Sequence, residues 1–140
     1  MFIGKYNYNL DDKGRISIPN NYKEALGEKL VAVMGFEECI YLYSVKDWNE
    51  LSSKIDSLSF TKQANRKFAR LFLSNAFYVE VDAKGRINLD SSLINHANLK
   101  KECVFLGSGN RVEIWDLQTW QKYLNDNQDT LSMIAEEVDL

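Results

Sequence analysis

Residues 11–18 read DDKGRISI, and residues 82–89 read DAKGRINL. An Asp-x-Lys-Gly-Arg run thus occurs twice, 71 positions apart, in a chain of 140 residues. Each run is a turn signal: the aspartate can accept backbone N–H groups of the turn that follows it, and glycine takes the positive-φ position of a short hairpin loop with a bulge. An alternating stretch precedes each turn, Tyr6-Asn7-Tyr8-Asn9-Leu10 and Phe77-Tyr78-Val79-Glu80-Val81. A second alternating stretch follows, Ile16-Ser17-Ile18 and Ile87-Asn88-Leu89. Both flanks have the period of strands with one buried face, so each turn is read as the tip of a hairpin.

The match continues downstream. Leu30-Val31-Ala32-Val33-Met34-Gly35 answers to Cys103-Val104-Phe105-Leu106-Gly107, and Cys39-Ile40-Tyr41-Leu42-Tyr43 to Arg111-Val112-Glu113-Ile114-Trp115. Aligning Gly35 with Gly107 makes the offset 72, the same register that matches Trp48 to Trp120. Two copies of one unit follow, each strand, turn, strand, short helix, strand, turn, strand, helix. A four-stranded unit of this size buries little apolar surface alone, and interleaving two copies lets each cover the other's edges and close a small barrel.

Pro19 fixes a helix-compatible φ at the start of the first short helix, and Gly27 follows Leu26 as a C′ glycine would. The closing helix starts at Ser44, with Asp47 three residues on, and its counterpart starts at Asp116. Trp48, Leu51, Ile55 and Leu58 fall at helical spacing and are read as packing residues; Trp120, Tyr123 and Leu124 match them more briefly. Between the copies, Phe60, Ala64, Phe68, Leu71 and Phe72 mark one helical face, and Lys62, Arg66 and Arg70 recur on another. That basic row suits a solvated face, a subunit interface or an auxiliary phosphate contact.

Composition sets the outer bounds. The chain is 45% hydrophobic and 26% charged, as in a soluble globular protein, with no run long enough to cross a bilayer and no signal-peptide pattern at Met1-Phe2-Ile3-Gly4-Lys5. A cytoplasmic protein is expected, without a membrane partner. Cys39 and Cys103 lack the spacing of a metal clip or redox pair and are read as buried strand thiols. His96 is the single histidine, so neither a metal site nor any other cofactor is expected. The net charge is −3; residues 121–140 hold −4, and the difference leaves +1 on residues 1–120.

Aspartate and glycine explain the bend of each turn, and Asp11, Gly14, Asp82 and Gly85 are assigned to shaping it. They do not explain Lys13, Arg15, Lys84 and Arg86. A pseudo-twofold arrangement of the copies would gather these four cations on one side of the barrel. Two of them are arginines, whose forked guanidinium suits phosphates and guanine edges, and a β-ribbon is narrow enough for a DNA groove.

The paired turns, the strands Tyr41-Leu42-Tyr43 and Ile114-Trp115 with the tryptophans after them, and the stretch from Arg66 to Ala76 closely resemble the MraZ family of bacterial transcriptional regulators, built from two tandem AbrB/SpoVT-type units. The resemblance covers about residues 1–124. It implies an α+β, mainly β fold: a double swapped-hairpin β-barrel of two tandem repeats with flanking helices. The expected division is a first repeat over 5–48, linking helices over 49–75, a second repeat over 76–120 and an acidic tail over 121–140. It also implies a nucleoid-associated, ring-like homo-oligomer that binds double-stranded DNA repeats upstream of the cell-division and cell-wall gene cluster. DNA contact falls on Lys13, Arg15, Lys84 and Arg86. Pro19 fits the family's Gly-Arg-x-x-x-Pro pattern, whereas the matching position in the second copy is Asp90.

A competing reading is an antitoxin-like or scaffold protein whose tail, residues 126–140, grips a basic partner through Leu131, Met133, Ile134 and Val138 among its acids. An enzyme is not expected, and with it no small-molecule substrate. The sequence has no nucleophile elbow, Walker-type phosphate loop or metal-ligand cluster.

Overall fold

The computed structural model describes residues 1–139; Leu140, the last residue of the expected tail, lies outside the described residues. The first copy contributes β1 (Lys5–Asn9), β2 (Arg15–Ser17), α1 (Asn20–Leu26), β3 (Lys29–Met34), β4 (Ile40–Ser44) and α2 (Val45–Asp56). After α3 (Gln63–Leu73) the order recurs as β5 (Ala76–Glu80), β6 (Arg86–Asn88), α4 (Ser91–Ala97), β7 (Glu102–Gly107), β8 (Val112–Asp116) and α5 (Leu117–Asp126), and α6 (Leu131–Glu137) ends the chain.

The copies share one antiparallel six-stranded sheet, in the order β1-β7-β8-β4-β3-β5. Its two halves mirror each other about the β4–β8 pair, and the outer strands are exchanged: β1 pairs with β7 of the second copy, β5 with β3 of the first. β2 and β6 form a separate two-stranded ladder. The strands on either side of each turn therefore take their ladder partners from the other copy, not from each other. The hydrogen-bonded sheet is open, with β1 and β5 at its ends, so a closed barrel is not what the strand pairing forms.

Ladder register corrects the alignment of the two copies. Leu30 stands opposite Val79, and Cys103 stands opposite Tyr8, which lies 71 residues before Val79. Leu30 is thus equivalent to Cys103 at an offset of 73, while Ser44 and Asp116 keep 72. Burial explains the shift: Leu30, Ala32, Cys103 and Phe105 all face one core, and Val31, Val33 and Val104 the other. A one-residue slip would turn every side chain of β7 to the wrong face. The glycines Gly35 and Gly107 coincide in an alignment without being equivalent in the sheet.

Each face of the sheet has its own core. On one, Ile16, Ile18, Tyr22, Leu26, Ile87, Leu89 and Leu93 from β2, β6, α1, α4 and their junctions pack on Leu42, Phe105 and Ile114. On the other, Trp48, Ile55 and Phe72 from α2 and α3 pack on Val31, Tyr43 and Trp115. Cys39 and Cys103 are free, buried thiols, and burial pushes the Cys103 thiol up to about 12.

The helices begin where their caps predict. Pro19 precedes α1, and Gly27 ends it at φ 84°. Asp90, where the first copy has Pro19, caps α4 by accepting the Ser92 N–H at 3.0 Å. Ser44 accepts the Asp47 N–H at 3.1 Å and Asp116 the Gln118 N–H at 3.1 Å. A capping oxygen satisfies an end-of-helix donor with or without proline's fixed φ, so the two copies use different devices for one boundary.

Two expected helical faces differ from the observed ones. Phe60 precedes α3, and Ala64, Phe68 and Leu71 are exposed. The inward side of α3 is Asn65, Ala69, Phe72 and Leu73, with the Phe72 ring 5.8 Å from Trp48 and 5.7 Å from Phe36. Leu58 lies beyond the end of α2 and is exposed.

Candidate nucleic-acid interface

The β2/β6 ladder positions the predicted site. Arg15 pairs with Asn88, Ile16 with Ile87 and Ser17 with Arg86. Ile16 and Ile87 are each 1% exposed, so strand alternation sends Arg15, Ser17, Arg86 and Asn88 to the outer face. Arg15 and Arg86 are diagonal neighbours there, with backbones roughly 7–8 Å apart. The ladder is extended at both ends: Leu89 donates its N–H to Gly14 and Ile18 to Gly85, at 2.8 and 3.0 Å.

The two turns superpose in detail. Asp11 Oδ1 accepts the N–H groups of Lys13 and Arg15 at 3.0 and 2.8 Å, and Asp82 Oδ1 accepts those of Lys84 and Arg86, both at 2.9 Å. Gly14 and Gly85 each donate to the carbonyl of the turn's aspartate, and both sit at φ 78°. An L side chain at that φ is strained, which is why glycine holds both positions.

Each aspartate also holds its arginine. Arg15 Nε donates to Asp11 Oδ2 at 2.8 Å and Arg86 Nε to Asp82 Oδ2 at 3.0 Å. The arginine N–H of each turn's backbone, above all, keeps Asp11 and Asp82 below the usual carboxylate range, and the guanidinium adds to it. Pinning through Nε orients the guanidinium and leaves the two terminal nitrogens, which among the described residues have no protein partner. Reading the sequence, the aspartates shaped the bend and the arginines were left over; in the molecule one carboxylate does both jobs. An i, i+4 aspartate–arginine spacing was the available signal.

Of the four predicted cations, the ladder brings Arg15 and Arg86 together. Lys13 and Lys84 are exposed at its opposite ends, since the ladder is antiparallel and each turn enters from its own end. The glycines are four rungs apart, roughly 13 Å at a rise of ~3.3 Å per residue. The four positive groups therefore form a line across one ladder, not a cluster at a single tip.

Side chains from the other copy cover the two glycines. Lys23 of α1 sits over Gly85, its Nζ 2.6 Å from where a Cβ would lie, and Ile94 of α4 sits over Gly14, its Cδ1 at 3.3 Å. Nothing in the local sequence marks Lys23, because the proximity arises between copies. Among the described residues, no group of acidic, histidine and cysteine side chains could hold a metal ion, and no helix is long and apolar enough to cross a membrane.

Known proteins match this sequence over nearly its whole length. The family model described as "MraZ protein, putative antitoxin-like" matches twice, at residues 1–71 and 72–140. A protein of Lactobacillus gasseri named "Transcriptional regulator MraZ" is 42% identical over 139 residues, covering 99% of this chain and 97% of that protein. With both halves matched and the relative aligned end to end, the chain belongs to the MraZ family.

Proposed function

We propose that the protein is a DNA-binding transcriptional regulator that reads duplex DNA with the outer face of the β2/β6 ladder. One observation carries this: Arg15 and Arg86 are diagonal neighbours on that face, each held through Nε, with no protein partner for its terminal nitrogens among the described residues. A two-stranded ribbon fits a major groove ~12 Å wide, and an oriented guanidinium can meet a guanine edge or a phosphate with two parallel hydrogen bonds. Lys13 and Lys84 then meet the sugar-phosphate backbone at either end. The name carried by the Lactobacillus gasseri relative supports the same assignment.

The finer reading follows from the resemblance. The target is the promoter repeats of the cell-division and cell-wall gene cluster, met by a ring-like homo-oligomer in the nucleoid. Several protomers on spaced repeats raise affinity by effective concentration, which reconciles a net charge of −3 with a polyanionic partner. The swapped-hairpin barrel belongs to the same proposal; what supports it is that each strand of the β2/β6 ladder is joined by a turn to an edge strand of the six-stranded sheet. So does the division into repeats at 5–48 and 76–120, linking helices at 49–75 and a tail at 121–140.

The test is a mobility-shift assay on the DNA upstream of the chain's own gene with the Arg15→Ala/Arg86→Ala variant, its fold checked by circular dichroism. Loss of the shift is expected; a folded double variant that still binds as the parent does refutes the proposal.

A second reading rests on α6. Leu131, Met133, Ile134 and Val138 are all exposed, beside Glu136 and Glu137. Seven residues make a helix too short to persist in water without a partner. An antitoxin-like role, with α6 gripping a basic partner, predicts that deleting residues 127–140 abolishes capture of that partner and spares DNA binding. Unchanged capture would leave it without support.

A further inference from the structure

We infer that Lys23 is a phosphate-contacting residue of the second turn, so that the two turns engage DNA unequally. The inference rests on the DNA-binding reading above and adds to it a residue and an asymmetry.

Lys23 belongs to α1 of the first copy, yet its ammonium lies over the apex glycine of the second copy's turn, 2.6 Å from an alanine Cβ built at Gly85. Nothing acidic receives it there. Asp82, the carboxylate of that turn, already accepts Lys84 N–H, Arg86 N–H and Arg86 Nε. Among the described residues neither Lys23 nor Lys84 forms an ion pair, and Glu28, whose carbonyl accepts the Val81 N–H, forms none with Lys23. The second turn therefore has an ammonium from α1 over its glycine in addition to its own Lys84 and Arg86, and its one carboxylate is already engaged by Lys84 and Arg86. An ammonium with no carboxylate partner, set beside a turn that carries a lysine and an arginine of its own, suits a phosphate.

The matching place in the first turn is different in kind. Ile94, 71 residues after Lys23, lays its Cδ1 3.3 Å from a Cβ built at Gly14, beside Asn88 Oδ1 and the Leu89 carbonyl. That apex is closed by an apolar methyl group and two oxygens, a poor place for an anion. The first turn also carries Asp12 where the second has Ala83. Lys100 and Lys101 do flank the first turn, along an open pocket with Asn9, Leu10, Asp11 and Asp12, but that pocket lies on the β1 side of the turn and not over its glycine. The second turn thus presents an ammonium beside its glycine, where the first presents an apolar methyl group.

The experiment measures fluorescence anisotropy across a salt series, with two labelled duplexes: one from the DNA upstream of the chain's own gene, the other a scrambled sequence of equal length. Lys23→Ala is expected to lower the steepness of log K against log salt by about 1, equally on both duplexes, with the thermal midpoint unchanged and with recovery in Lys23→Arg. Arg86→Ala is expected to lose more on the upstream duplex than on the scrambled one. An unaltered salt slope in Lys23→Ala, while Arg86→Ala still weakens binding, overturns this inference alone. Binding untouched by both substitutions overturns the DNA-binding reading as well.

Discussion

The two turn glycines offer a matched pair of substitutions whose costs differ for a geometric reason. Gly14 and Gly85 share a φ of 78°, so alanine at either position carries the same left-handed penalty of ~1–2 kcal/mol. The lost unfolded-state freedom of glycine offsets roughly 0.4–1 kcal/mol of it in both. What differs is the space. A Cβ at Gly85 meets Lys23 Nζ and Cε, at 2.6 and 3.1 Å, the far end of a flexible side chain that can swing away. A Cβ at Gly14 meets Asn88 Oδ1, Ile94 Cδ1 and the Leu89 carbonyl, each at 3.3 Å, and that carbonyl is fixed backbone. Overpacking against atoms that cannot yield adds ~1 kcal/mol or more. Gly85→Ala should therefore cost about 1 kcal/mol and Gly14→Ala about 2–3 kcal/mol, which at about 4 °C per kcal/mol means midpoint losses near 4 and 8–12 °C. Thermal unfolding followed by circular dichroism reads both. Equal losses, or a larger one for Gly85→Ala, would refute the view that, among the described residues, Lys23 alone stands over the glycine of the second turn.

The other consequences concern the core and the acid response. Phe105, 0% exposed at the centre of the sheet, should lose about 3–5 kcal/mol on substitution by alanine, measurable as a denaturant midpoint shift at unchanged m-value. Asp82, held below its ordinary 3.8 chiefly by the Arg86 N–H, adds stability that is present above that value and lost as pH falls through the lower folded one. The parent should accordingly lose more stability than Asp82→Asn when titrated below about pH 4, and parallel acid limbs would contradict the turn's hydrogen-bond pattern.

What could be read from residues alone divides along the range of the interactions. Turns, caps and strand faces depend on neighbours within about four positions, and the turn shaped by Asp11 and Gly14, the Ser44 cap, Gly27 and the Ile16/Ile87 alternation were all legible. The face of α3 was not. Phe60, Ala64, Phe68, Leu71 and Phe72 make a consistent helical stripe, yet only Phe72 is buried, since Trp48 of α2 and Val31 and Val33 of β3 decide which arc is covered. Two copies with matching glycines also invited an alignment at Gly35 and Gly107 that the ladders displace by one residue.

The sequence by itself determined that a unit is repeated, where its turns lie and which charges they carry, because those are properties of short segments with strong local preferences. Tertiary structure decided that the strands of each turn pair with the opposite copy, that Arg15 and Arg86 meet on one ladder while Lys13 and Lys84 part to its ends, and that Lys23 reaches across to Gly85. Those outcomes depend on contacts between residues more than 40 positions apart in the chain, where only the competition to bury both faces of one shared sheet selects the partner.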